Sequence, residues 1–164
     1  MRFFGFALAA SAFVLGACGG GDTAATDTSA AAAPTTDAAA PAAPAAGAVA
    51  AAPVTGTVHT VNMVGDAQGY RYEPANLTIK QGDGVKFVMV SGGPHDVSFQ
   101  DIPAEVAPQL SANIPEKMGE LSSKMMMNPN EEVTISFANI PAGTYNFHCT
   151  PHLAMGMTGA ITVE

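Results

Sequence analysis

The segment Phe147-His148-Cys149-Thr150-Pro151-His152-Leu153-Ala154-Met155-Gly156-Met157 puts a thiol, an imidazole three residues on and a thioether five beyond that into one short stretch. A second imidazole stands far upstream, in Gly92-Gly93-Pro94-His95-Asp96-Val97. Two imidazoles, a thiolate and a weak axial thioether are the donor set of a blue-copper electron-transfer site. Such a set fills the coordination sphere and leaves no place for water or dioxygen, which argues against an enzyme. A lone Cys149 in an oxidising compartment is either buried and inert or committed to a ligand, and its neighbours favour the ligand.

These side chains need elements that carry them to one point. On a strand, Tyr145, Phe147 and Cys149 share a face, so the sulfur enters the core behind two aromatic rings. Pro151 then turns the chain and brings His152 back beside the sulfur, and Gly156 allows a second bend before the last strand. Runs rich in β-branched and aromatic residues recur at Thr57–Met63, Leu77–Lys80, Val85–Val90, His95–Phe99, Val133–Phe137, Tyr145–Cys149 and Thr158–Val163. Turn material such as Gln81-Gly82-Asp83-Gly84 and Pro141-Ala142-Gly143 separates them, the pattern of an antiparallel β-sandwich. Between Pro103 and Lys124 the apolar residues Val106, Leu110, Ile114, Met118 and Leu121 fall at helical spacing, interrupted by Pro108 and Pro115. One or two short inserted helices are expected there.

The string Cys149 to Met157, with Gly93-Pro94-His95-Asp96-Val97 before it, resembles the small cupredoxins, plastocyanin and especially pseudoazurin. The likeness spans residues 54–164 and implies an all-β, Greek-key sandwich of about seven to eight strands holding one copper ion. It implies His95, Cys149, His152 and Met157 as the ligands; the C-x2-H-x4-M spacing prefers Met157 to Met155 in the axial place. One departure is Asp96, where the family usually has an Asn that braces the ligand loops. Another is the longer, Met-rich insert from Pro103 to Met127. Met125-Met126-Met127, with Met118, reads as adaptable packing or a contact surface, a soft Cu(I) site being the weaker reading. His148 is expected on the face opposite Cys149, exposed, and His59 as an ordinary strand residue.

The N-terminus adds an address. Arg2, an apolar run from Phe3 to Leu15 and the small Gly16-Ala17 before Cys18 read as a signal peptide over residues 1–17, too short to span a bilayer as a helix. Its end resembles a lipoprotein lipobox, which implies lipidation at Cys18 and a membrane anchor. Residues 18–53 follow as a disordered Ala/Pro/Thr-rich tether with no apolar stripe to dock, ahead of the folded domain 54–164. The whole chain carries a net charge of −8, so nucleic acid is excluded as a partner. The expected protein is a monomeric, extracytoplasmic electron carrier, tethered in the periplasm with a slight preference for the outer membrane. Its expected partners are a c-type cytochrome or a membrane or periplasmic oxidoreductase. The alternative is a copper carrier or buffer that delivers the metal to other proteins.

Overall fold

A computed structural model describes residues 49–164. The signal peptide, Cys18 and most of the 18–53 linker lie outside the described residues. Among the described residues, eight strands form two four-stranded sheets. The strands are β1 (Val58–Asp66), β2 (Gly69–Glu73), β3 (Asn76–Ile79), β4 (Gly84–Met89), β5 (Ser98–Gln100), β6 (Glu132–Ser136), β7 (Gly143–His148) and β8 (Thr158–Val163). One sheet runs β2-β1-β4-β6 and the other β3-β8-β7-β5. Alternate residues of each strand point inward, as the period of two requires. Val85, Phe87 and Met89 of β4 meet Tyr145 and Phe147 of β7 and Ile161 and Val163 of β8 in one core. Tyr72, Phe87 and Phe147 pack edge to face at its centre.

The sheets are mixed, which corrects the antiparallel expectation. β1 runs parallel to β4, and β3 parallel to β8. Period-two patterning reports which face of a strand is buried, and this is the same whichever way the neighbouring strand runs. Strand β2 was also missing from the sequence reading. It pairs only with β1 and is a short edge strand, Gly-Tyr-Arg-Tyr-Glu, closed by Pro74, so it lacks the β-branched signature.

The insert holds one short helix, α1 (Ala107–Asn113), which covers β6. Pro108 sits in its first turn, where the missing N–H has no partner to lose, so it starts the helix instead of breaking it. Met118 and Leu121 lie beyond the helix, in a turn whose Ser122 bridges to Ser98 of β5. Ahead of β1 the chain already touches the domain. The Gln109 amide donates to the Ala50 carbonyl, and Ala52 N–H to Asn113 Oδ1 at 2.8 Å.

Register sets the functional end. Ser98 of β5 pairs with His148 of β7, and His148 also pairs with Thr158 of β8. The loop before β5 and the β7–β8 connection must therefore meet at that end, and they carry His95 and Cys149–Met157.

Candidate metal centre

Cys149 follows directly on β7 and is fully buried behind Tyr145 and Phe147, on the face the alternation predicted. Its N–H donates to the Met157 carbonyl, while the N–H groups of His152 and Met157 donate to the carbonyls of Cys149 and His152. These bonds close the loop on itself. Gly156 takes a left-handed conformation, φ 82°, to end the short 3-10 turn Leu153–Met155 between them. His95 comes from the β4–β5 connection. Its backbone N–H and C=O bond reciprocally with Met126, which lays the insert against the loop as an added edge.

The three donor atoms form a nearly equilateral triangle. Cys149 Sγ is 3.5 Å from His95 Nδ1 and 3.4 Å from His152 Nδ1, and the two nitrogens are 3.2 Å apart. The centre of such a triangle is about 2 Å from each corner, close to the bond lengths that nitrogen and sulfur donors make to a first-row transition metal. The protonation chemistry agrees. His95 Nε2 lies 2.9 Å from the Ser91 carbonyl, an acceptor only, so that nitrogen donates and the tautomer it selects carries its lone pair on Nδ1. Burial, reinforced by His95 nearby, holds the His152 imidazole below its ordinary pKa and so favours its neutral form. Burial pushes the Cys149 thiol up to about 11, so an incoming metal ion must displace a proton from sulfur. The residues thus fit a soft cation with nitrogen and thiolate preferences.

Met157 is fully buried where the loop closes, whereas Met155 is 58 % exposed. Asp96 is buried and braces the two loops. Its Oδ1 accepts the Thr150 N–H at 2.6 Å and its Oδ2 the Thr150 hydroxyl at 2.7 Å. The bracing expected of an Asn is therefore present, with a carboxylate supplying it. Met126 is fully buried and Met127 is 61 % exposed, so the three consecutive methionines do not share one face. His148 is half-buried instead of exposed, with Nδ1 out of solvent and unpartnered. It stands on the inner strand β7, paired with Ser98 of β5 on one side and Thr158 of β8 on the other.

Two residues were missed in the sequence because β2 was missed. The Tyr72 hydroxyl donates to the Asp96 carbonyl at 2.6 Å, and the Tyr70 ring stacks on His152 with centroids 3.8 Å apart and planes 11° from parallel. Burial, with Cys149 and Asp96 close by, raises the Tyr72 hydroxyl well above its ordinary pKa, so it remains a donor. The Tyr-x-Tyr spacing over an alternating stretch was the signal available.

The chain is similar to known proteins in sequence and in fold. Residues 59–164 match the family described as copper binding proteins of the plastocyanin/azurin family. The chain is 38 % identical over 117 residues to the plastocyanin of Prochlorothrix hollandica, covering 71 % of this chain and 80 % of that protein. It is 34 % identical over 112 residues to the plastocyanin of Synechococcus sp. (strain JA-2-3B'a(2-13)), covering 68 % and 77 %. The solved structure of oxidised plastocyanin from Dryopteris crassirhizoma superposes with a TM-score of 0.52 at 28 % identity, covering 65 % of this chain and all of that one.

Proposed function

Since the chain belongs to the plastocyanin/azurin family of copper-binding proteins, an electron-carrying rather than enzymatic family, we propose that it shuttles single electrons between extracytoplasmic redox proteins, with His95, Cys149, His152 and Met157 as copper ligands. The triangle of His95, Cys149 and His152 donors carries this reading. Copper bound there supplies the Cu(I)/Cu(II) couple, and the rest of the work is done by the chain. Asp96, Thr150 and the Cys149–Met157 bonds fix the loops, so little has to move when the charge changes. A fully buried Met157 would offer copper a thioether, the weakest of the four proposed ligands.

His152 is the proposed electron port, because its loop also exposes the apolar Leu153 and Met155. An apolar collar of this kind suits brief docking that excludes water. Residues 54–164 carry five basic and eleven acidic side chains, a surplus that would steer a basic partner such as a c-type cytochrome. Lipidation at Cys18, with residues 18–53 as tether, would hold the domain at a membrane, the periplasmic face of the outer membrane being slightly preferred.

The test is spectroscopic. Adding Cu(II) to the purified protein should give an intense blue or green band at one copper per chain, bleached reversibly by a mild reductant. Absence of that band would sink the reading. Stopped-flow reduction by a basic cytochrome should slow as salt rises, and a rate indifferent to salt removes the steering claim.

A further inference from the structure

Each donor at the metal centre has a device that holds it, except one. The His95 ring is fixed through Nε2 on the Ser91 carbonyl, which also accepts the Gly65 N–H at 2.9 Å. Cys149 is fixed by its short side chain and the loop's own backbone bonds. His152 is different: among the described residues its Nε2 has no protein hydrogen-bond partner. Its Nδ1 meets only the other two donor atoms, so outside the donor triangle no hydrogen bond fixes the plane of the ring. The large flat group lying against its ring is Tyr70.

We infer that Tyr70 is a positioning residue for His152: its ring face sets the plane of the imidazole and so keeps Nδ1 aimed at the Cys149 sulfur. This rests on the copper-carrier reading of the site. The local architecture is shaped around that ring. Tyr70 pairs with Gly65 across the β1–β2 hairpin, and a Cβ on Gly65 would come within 2.7 Å of Tyr70 Cε1 and 2.8 Å of the Gly92 Cα. Glycine at that strand position is what lets the ring and the His95 loop both approach. Tyr70 also meets the His95 ring edge-on, centroids 6.2 Å apart, so it lies against both imidazoles. Two residues along, on the same face of β2, the buried Tyr72 fastens the strand to the Asp96 carbonyl and to Phe147, with centroids 4.7 Å apart. Edge strand β2 therefore cannot drift away from the ligand loops without losing those contacts as well.

The experiment compares Tyr70→Leu, which keeps apolar bulk but loses the flat face, with Tyr70→Phe, which keeps the face and loses the hydroxyl. In the metal-free protein, NMR of the His152 ring protons should show strong ring-current displacement in the wild type and in Tyr70→Phe, collapsing toward ordinary values in Tyr70→Leu. Cu(II) affinity by chelator competition should fall about threefold to tenfold in Tyr70→Leu, the size of one aromatic pair, and stay within about twofold in Tyr70→Phe. The reduction potential and visible band pattern should shift in Tyr70→Leu and return in Tyr70→Phe. Wild-type His152 ring shifts in Tyr70→Leu would overturn the inference, as would a Tyr70→Phe variant that behaves like Tyr70→Leu. A wild type that takes up no copper would instead overturn the electron-carrier reading, and the metal-free NMR would still decide the role of Tyr70.

Discussion

At one end of the β2-β1-β4-β6 sheet, His95 donates through Nε2 to the Ser91 carbonyl at 2.9 Å; at the other, His59 donates through Nε2 to the Asp83 carboxylate at the same 2.9 Å. The two poles use an equal hydrogen bond to different ends. Asp83 also accepts the N–H groups of Thr57, at 2.8 Å, and Lys80, at 3.1 Å, so it ties the start of β1 to the turn before β4. Those donors, His59 first, hold its carboxyl down at about 2. Every strong group there has a partner of opposite character, and the result is stability. At the other pole the two Nδ1 atoms and the sulfur face only one another, with the thiol proton between them and no charged partner. What separates a structural histidine from a ligand histidine is whether the polar atoms around it complete each other or leave a gap shaped for a cation.

The comparison is broken most severely by removing the sulfur. Cys149→Ser should abolish the intense visible band and lower copper affinity about 100-fold or more, because the hard hydroxyl replaces a soft thiolate. The acid stability conferred by Asp83 should be untouched, as urea unfolding at low pH would show. Next in size, Asp96→Ala strips the acceptors from Thr150 and should cost about tenfold to 100-fold in copper affinity, measured by chelator competition. Asp96→Asn keeps an acceptor for the Thr150 N–H and should recover most of that loss. It also removes a negative charge that favours Cu(II), so voltammetry should find a higher potential in Asp96→Asn than in the wild type.

The opposite pole should respond in the other currency. Asp83→Asn should lower stability at neutral pH by about 1 to 2 kcal/mol and leave the copper potential where it was. Because the folded carboxyl sits at about 2, below its ordinary 3.8, its contribution is complete only above about pH 5 and drains away as the pH falls from there through the folded value. Urea titrations should therefore show the gap between wild type and Asp83→Asn narrowed by roughly half at pH 3 relative to pH 7. His59→Gln is the mildest change, about 0.5 kcal/mol, since the His59 side chain is 29 % exposed and water competes for its bond.

Much of this was legible beforehand, and the exceptions share a cause. The order Cys149, His152, Met157 lies within one loop, where spacing alone limits what can converge. The inward face of β7 followed from alternation, and Pro108 was misread only because a proline that starts a helix and one that stops it look alike in a string of apolar residues. The Asp83 turn was recognised as a turn, but its bond to His59 joins residues far apart in the chain. Tyr70 and Tyr72 were passed over because edge strand β2 is too short and too polar to announce itself.

The amino-acid sequence by itself determined the donor types, their order, the alternation that buries Cys149 and the glycine and proline bends around it, since each depends on neighbours a few residues apart. The tertiary structure alone decided that β1 runs beside β4 in the same direction, that β5 registers on β7 so that His95 reaches the sulfur, and that Tyr70 lies on His152. Those outcomes turn on which distant strands pair and in what register. Pairing is selected by the packing of the whole core, and a local pattern of polar and apolar residues is the same for several such arrangements.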